Sequence, residues 1–165
     1  MEDKDDAGRE TSRPPTVDDL KRVCEHLNKA GAKYILVGGL AVNYYGLPRS
    51  TQDIDLLVED TEENVERIRE ALSFLQDRAS LEVRPDDIKN YTVVRIADEI
   101  VIDLIGKVGD LTYRNAGIEM YDLDGIPVPI ADLKTMIRSK QGVRERDKTD
   151  LQFFLLLQEK EEKER

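Results

Sequence analysis

The chain has 165 residues, a single cysteine and a formal net charge of −10. That length suffices for one domain with a real core. The acid excess argues against a general nucleic-acid-binding surface, which would be basic, while leaving room for a local basic pocket. One cysteine excludes an intramolecular disulfide and a multi-cysteine zinc site.

Residues 1–15, MEDKDDAGRETSRPP, are charged, small or proline, so they read as a disordered acidic tail. They have no apolar core and do not form a secretory signal. No run in the chain approaches the roughly 20 apolar residues that span a bilayer. The protein is therefore expected to be cytoplasmic. Thr16 suits an N-cap, with Asp18 and Asp19 in the first turn. Val17, Leu20, Val23, Cys24, Leu27 and Ala30 follow helical spacing, which predicts a helix over 17–30 ended by Gly31. Cys24 falls on its apolar side and is expected to be a buried thiol. His26, the only histidine, has no partner serine or cysteine motif and is expected near the surface without a catalytic role.

Lys33–Val37 is a continuously apolar strand, Gly39–Tyr45 a short helix and Asp53–Val58 a second strand. Thr61 caps a third helix carrying Val65, Ile68, Ala71, Leu72 and Leu75. Residues 91–96 and 100–105 form a strand pair around Ala97-Asp98-Glu99, and Ile118–Pro129 a hairpin turning at Asp124-Gly125. Residues 106–117 match neither period. Leu133, Met136 and Ile137 mark one more helix; Leu151, Phe154 and Leu155 mark the last. Phe153–Leu157 is more apolar than one helix face needs, so it is expected to pack in the core or to form a homodimer contact. The economical architecture is a single α+β domain over residues 16–158, a mixed β-sheet flanked by helices, followed by a charged, frayed tail at 159–165.

Three features carry chemistry. Gly38-Gly39 stands at a strand-to-helix junction, where glycine lets a ligand approach the backbone and a helix N-terminus favours an anion; a plain tight turn would explain the pair equally well. Asp53 and Asp55 are two apart in a strand and project to one face, with Ile54 turned to the core. Paired carboxylates repel unless a cation sits between them, and oxygen-only ligands suit Mg²⁺. Asp122-Leu123-Asp124 has the same spacing, but Gly125 follows, so a turn explains it. Asp103 is one carboxylate in the apolar strand Ile100–Ile105. It needs either a nearby arginine or lysine, or a place with Asp53 and Asp55 at a metal site.

Gly38-Gly39, then Asp53-Ile54-Asp55, with Asp103 on a later strand, resembles the nucleotidyltransferase fold shared with DNA polymerase beta. Leu36–Val58 is most similar to the minimal and abortive-infection nucleotidyltransferases, many of them toxins of toxin–antitoxin pairs. Arg49-Ser50-Thr51 fits that pattern, as does the run from Ser139-Lys140 through Arg144, Asp147 and Asp150. The resemblance spans roughly residues 17–157. It implies that Asp53, Asp55 and Asp103 are catalytic and hold two Mg²⁺ ions, with Asp103 also a candidate acceptor for the hydroxyl proton. It implies that Gly38 and Gly39 hold the phosphates of an NTP, ATP first, and that Arg49, Thr51, Lys140 and Arg144 are nucleotide or substrate contacts. The reaction implied moves an NMP onto a hydroxyl of a tRNA, a protein or a small molecule and releases pyrophosphate. An antitoxin partner goes with the toxin branch. An antibiotic-modifying enzyme of the lincosamide or aminoglycoside kind, or a non-catalytic nucleotide-binding module, are the other readings. Lys140, Arg144, Arg146 and Lys148 can equally be a solvated face paired with Asp147 and Asp150.

Overall fold

The structure, a computed structural model, describes residues 12–140 and 145–164. A six-stranded mixed sheet has the order β3-β4-β2-β1-β8-β7. Its strands are β1 (Tyr34–Val37), β2 (Asp53–Val58), β3 (Val93–Ala97), β4 (Val101–Ile105), β7 (Ile118–Leu123) and β8 (Ile126–Ala131). β2 runs antiparallel to β1 and parallel to β4, while the hairpins β3–β4 and β7–β8 close the two edges. β1 joins β8 in parallel. The helices are α1 (Val17–Lys29), α2 (Gly38–Tyr44), α3 (Glu62–Leu72), α4 (Asp87–Asn90), α5 (Leu133–Ser139) and α6 (Glu145–Lys163). This is the expected α+β class.

β1 is buried at all four residues, and Leu56, Leu57 and Val58 of β2 are fully buried, because both strands lie in the middle of the sheet. α1 packs on α3 and β8, α2 on β1 and β2, and α5 on α6 and β8. The capping box predicted at Thr16 is present, and Asp19 of that box also accepts a 2.8 Å hydrogen bond from Arg13. Cys24 is buried in the core, and that burial pushes its thiol up to about 11. His26 stacks on Phe74 with ring centroids 3.8 Å apart, a packing role. The Asp124-Gly125 turn has positive φ at both residues, and Asp122 Oδ1 accepts a 2.7 Å hydrogen bond from the Gly125 amide. The second aspartate pair is thereby explained.

Several boundaries differ from the sequence expectation. Of the tail expected to be disordered over 1–15, residues 1–11 lie outside the described residues. Ser12 and Arg13 are anchored: Ser12 Oγ donates to the Asp98 carbonyl at 2.6 Å and the Arg13 amide to that of Glu99 at 3.0 Å. Residues 106–117 hold a small hairpin of β5 (Lys107–Val108) and β6 (Leu111–Thr112), and a 3₁₀ turn covers Ala79–Glu82. The charged end expected to fray over 159–165 stays helical to Lys163, since Glu and Lys are good helix formers and Glu159 pairs with Lys163 at 3.2 Å. The Phe153–Leu157 run divides: Phe154 is fully buried, Phe153 and Leu157 pack on the core, and Leu155 and Leu156 are exposed. Among the described residues no helix is long and apolar enough to cross a membrane.

Candidate active site

Register builds the site. On β2 and β4, Asp55 stands opposite Asp103; on β3 and β4, Arg95 stands opposite Asp103. Residues directly opposite on neighbouring strands share a face with their Cβ atoms about 5 Å apart. Asp53 lies on the same face of β2, two residues back, while Ile54 between them is fully buried on the other side. Asp53, Asp55 and Asp103 thus converge, each offering a carboxylate oxygen within 4.8 Å of the others. Asp122 and Asp124 join no such group among the described residues.

The electrostatics fit a cation site. Arg95 forks onto Asp103, Nε donating to Oδ1 at 2.9 Å and Nη2 to Oδ2 at 3.0 Å, with Nη2 also 3.6 Å from Asp53 Oδ2. One guanidinium against three carboxylates leaves the group net negative. Burial, and then the charges of Asp103 and Asp53, push the Asp55 carboxyl up to about 7. A divalent cation would relieve that repulsion, and the donor set, all carboxylate oxygen, suits Mg²⁺.

The glycines explain themselves at close range. Gly38 has φ +71°, and a Cβ there would lie 2.0 Å from Asp55 Oδ2. A side chain at Gly39 would meet Thr51 Cγ2 at 2.7 Å. Gly38 therefore lets the β1–α2 turn pass against the carboxylate cluster, and Gly39 lets the segment before β2 close over the turn.

A cleft of about 350 Å³ opens here, lined by Gly38, Gly39, Arg49, Thr51, Asp53, Asp55, Asp103, Lys140 and Arg146, among others. Its basic side is held by one fully buried carboxylate, Asp150 of α6. Asp150 Oδ2 accepts from Arg49 Nη1 at 2.7 Å, Oδ1 accepts from Arg49 Nη2, and Lys140 Nζ lies 3.2 Å from Oδ2. Burial opposes ionisation of Asp150, but the hydrogen bonds from Arg49 and Lys140 outweigh it and hold its carboxyl below the usual range. Lys140 is also 3.7 Å from Asp147. Lys140 is therefore ion-paired and buried rather than on a solvated face, and it lines the cleft.

Eight of the nine site residues named from sequence thus meet at one cleft: Asp53, Asp55, Asp103, Gly38, Gly39, Arg49, Thr51 and Lys140. The ninth, Arg144, lies outside the described residues. Two residues that organise the site were not singled out as such. Arg95 is the one charged residue of Val93–Ala97, and counting back from the turn at Asp98 places it opposite Asp103. Asp150 is offered by the sequence only as an acid near Lys140; its pairing with Arg49, 101 residues away in the chain, gives no local signal.

A comparison with curated proteins finds none that matches. Several solved structures share the fold, two of them nucleotidyltransferase-like proteins. An antigenic nucleotidyltransferase-like protein from Paracoccidioides brasiliensis matches at 16% identity and a TM-score of 0.56, over 86% of this chain and 75% of that one. A Thermotoga maritima protein, carrying a provisional nucleotidyltransferase label, matches at 16% identity and a TM-score of 0.53, over 90% and 88%. The family model "Nucleotidyl transferase AbiEii toxin, Type IV TA system" matches residues 22–140, a span that holds the glycine pair, all three converging aspartates and Lys140. That match covers more than half of the chain, and the chain belongs to the AbiEii family of nucleotidyl transferases.

Proposed function

We propose that the chain is a Mg²⁺-dependent nucleotidyltransferase that moves an NMP from an NTP, ATP first, onto a hydroxyl acceptor, acting as the toxin of a toxin–antitoxin pair. The observation that carries this reading is the convergence of Asp53, Asp55 and Asp103 within 4.8 Å at a cleft also lined by Arg49, Lys140 and Arg146. Asp53, Asp55 and Asp103 would hold the metal, two ions in this reading. When bound, the metal supplies charge neutralisation at the triphosphate and a lower pKa for the attacking hydroxyl.

The chain's own residues do the rest. Arg49, Lys140 and Arg146 give the triphosphate a cationic wall in a protein whose overall field would repel it. The Gly38-Gly39 backbone, free of Cβ atoms, lets phosphate oxygens come close to the turn. The acceptor oxygen bonds to the α-phosphorus, the bond from that phosphorus to the α,β-bridging oxygen breaks, and pyrophosphate leaves. The hydroxyl proton passes to Asp103 or to solvent: each Asp103 oxygen accepts one hydrogen bond from Arg95 and keeps a second lone pair for a further partner.

The acceptor is a tRNA end, a protein hydroxyl or a small molecule. The net charge of −10 favours a cationic small molecule such as an aminoglycoside over a large RNA, which keeps the antibiotic-modifying reading in play. The test is label transfer from α-labelled NTPs with Mg²⁺, using total tRNA, host lysate and an antibiotic panel as separate acceptors beside Asp55→Ala. Label in one pool, lost in the variant, supports the enzyme and names its acceptor class. No transfer, with Mg²⁺-ATP still bound, would instead favour a nucleotide-binding module.

A further inference from the structure

We propose that Arg95 is a positioning residue of the carboxylate cluster, orienting Asp103 and so setting how tightly the cluster takes a divalent cation. The inference rests on reading the cluster as a metal-dependent transfer centre. Arg95 sits on β3, an edge of the six-stranded sheet, yet it is only 8% exposed. Its strand neighbours Val94 and Ile96 are buried on the opposite face. Asp103 lines the cleft and Arg95 does not. Arg95 therefore acts on the site through the carboxylate it holds.

The geometry goes beyond neutralising a buried charge. A guanidinium donates two parallel N–H bonds in a fixed plane. Nε to Oδ1 at 2.9 Å and Nη2 to Oδ2 at 3.0 Å fix the tilt as well as the place of the Asp103 carboxylate. Each oxygen keeps a second lone pair for another partner. The same guanidinium reaches Asp53 Oδ2 at 3.6 Å, so one residue braces two of the three carboxylates. It cancels one charge of three and leaves the remainder to a metal. Groups that orient metal ligands in this way are worth about 10–100-fold in metal affinity or activity.

Lysine at this position keeps the charge and loses the fork, so Arg95→Lys is the informative variant. The full-length protein is titrated with Mn²⁺, free Mn²⁺ being read by electron paramagnetic resonance, with folding followed by circular dichroism in EDTA. Arg95→Lys is expected to fold, to bind Mn²⁺ about tenfold more weakly, and to need correspondingly more metal for half-maximal turnover. At saturating metal its KM for ATP is expected within about twofold of wild type, since Arg95 does not line the cleft. In an Asp103→Asn background the same change is expected to cost much less Mn²⁺ affinity, because the forked group is gone and only the 3.6 Å contact to Asp53 remains. A folded Arg95→Lys protein with wild-type Mn²⁺ affinity overturns the proposal and leaves the metal site intact. Loss of the fold together with Mn²⁺ affinity overturns it too, by making Arg95 structural. A wild-type protein that binds no Mn²⁺ fails the functional reading itself, and this proposal with it.

Discussion

Replacing Asp55 by asparagine is expected to stabilise the metal-free protein at pH 8 while removing its function. The side chains are close to isosteric, so the amide still fits against Gly38, and the charge is what changes. Asp55 titrates from 3.8 in its ordinary state to about 7 in the fold. Holding it ionised therefore costs up to about 4 kcal/mol above pH 7, at about 1.36 kcal/mol per pH unit. Geometry gives the same scale: a carboxylate within 4.8 Å repels Asp55 by about 3 kcal/mol at an effective dielectric near 20. Burying the amide offsets part of this, so a gain of about 2–3 kcal/mol is expected in EDTA at pH 8. For a domain of this size that raises Tm by roughly 5–10 °C. The sign follows from the raised pKa: the wild-type protein has full stability from this group below about pH 4 and loses it as pH rises through about 7. The gap between variant and wild type should therefore shrink below about 1 kcal/mol at pH 4, where both side chains are neutral. Millimolar Mg²⁺ should raise the Tm of wild type and leave Asp55→Asn where it was. A variant no more stable than wild type at pH 8, or a gap that does not close in acid, would refute the reasoning.

Four further outcomes are expected. Asp150→Ala removes the buried partner of Arg49 and Lys140, and urea unfolding should show a loss of about 3–5 kcal/mol, with a raised KM for NTP in the folded fraction. Gly38→Ala should cost more than Gly109→Ala in thermal melts: both glycines have positive φ, but only at Gly38 would a Cβ also strike Asp55. Arg13, helped by the Thr16 backbone and hydroxyl against the cost of burial, holds the Asp19 carboxyl down to about 2. Its stabilising contribution is therefore full above about pH 4 and lost as pH falls towards 2, and Asp19→Asn should flatten that acid limb in a pH series of melts. Phe154→Ala should cost about 3–5 kcal/mol, whereas Leu156→Ser, at a residue 66% exposed, should stay within about 0.5 kcal/mol; a large loss at Leu156 would point to a partner on that face.

The aspartates were legible in the sequence because strand period is local. Two carboxylates flanking Ile54 and followed by Leu56-Leu57-Val58 say which face is core. Asp103 was legible as an anomaly in an apolar strand, with two explanations in competition, and the structure combines them: it is paired with Arg95 and it joins the cluster. The reason for Gly38 was not legible. Its constraint is the Asp55 side chain of the neighbouring strand as well as its own positive φ. The Arg49–Asp150 pair is hidden for the same reason, since its two residues lie 101 positions apart in the chain. The region 76–90 has no period to read, because a 3₁₀ turn and one turn of helix are too short to show one. The charged end of α6 departs from the expected frayed tail because a run of Glu and Lys looks alike in a solvated helix and in a frayed tail.

The most direct test of a carboxylate-held nucleotidyl transfer centre is to follow ATP labelled at either phosphate, in the acceptor pool that responds, with wild type and Asp53→Ala in parallel. Label from the α-phosphate should enter the acceptor, label from the γ-phosphate should appear only in pyrophosphate, and both should vanish in the variant. Label passing from the γ-phosphate to the acceptor, or transfer undiminished in Asp53→Ala, would contradict the account.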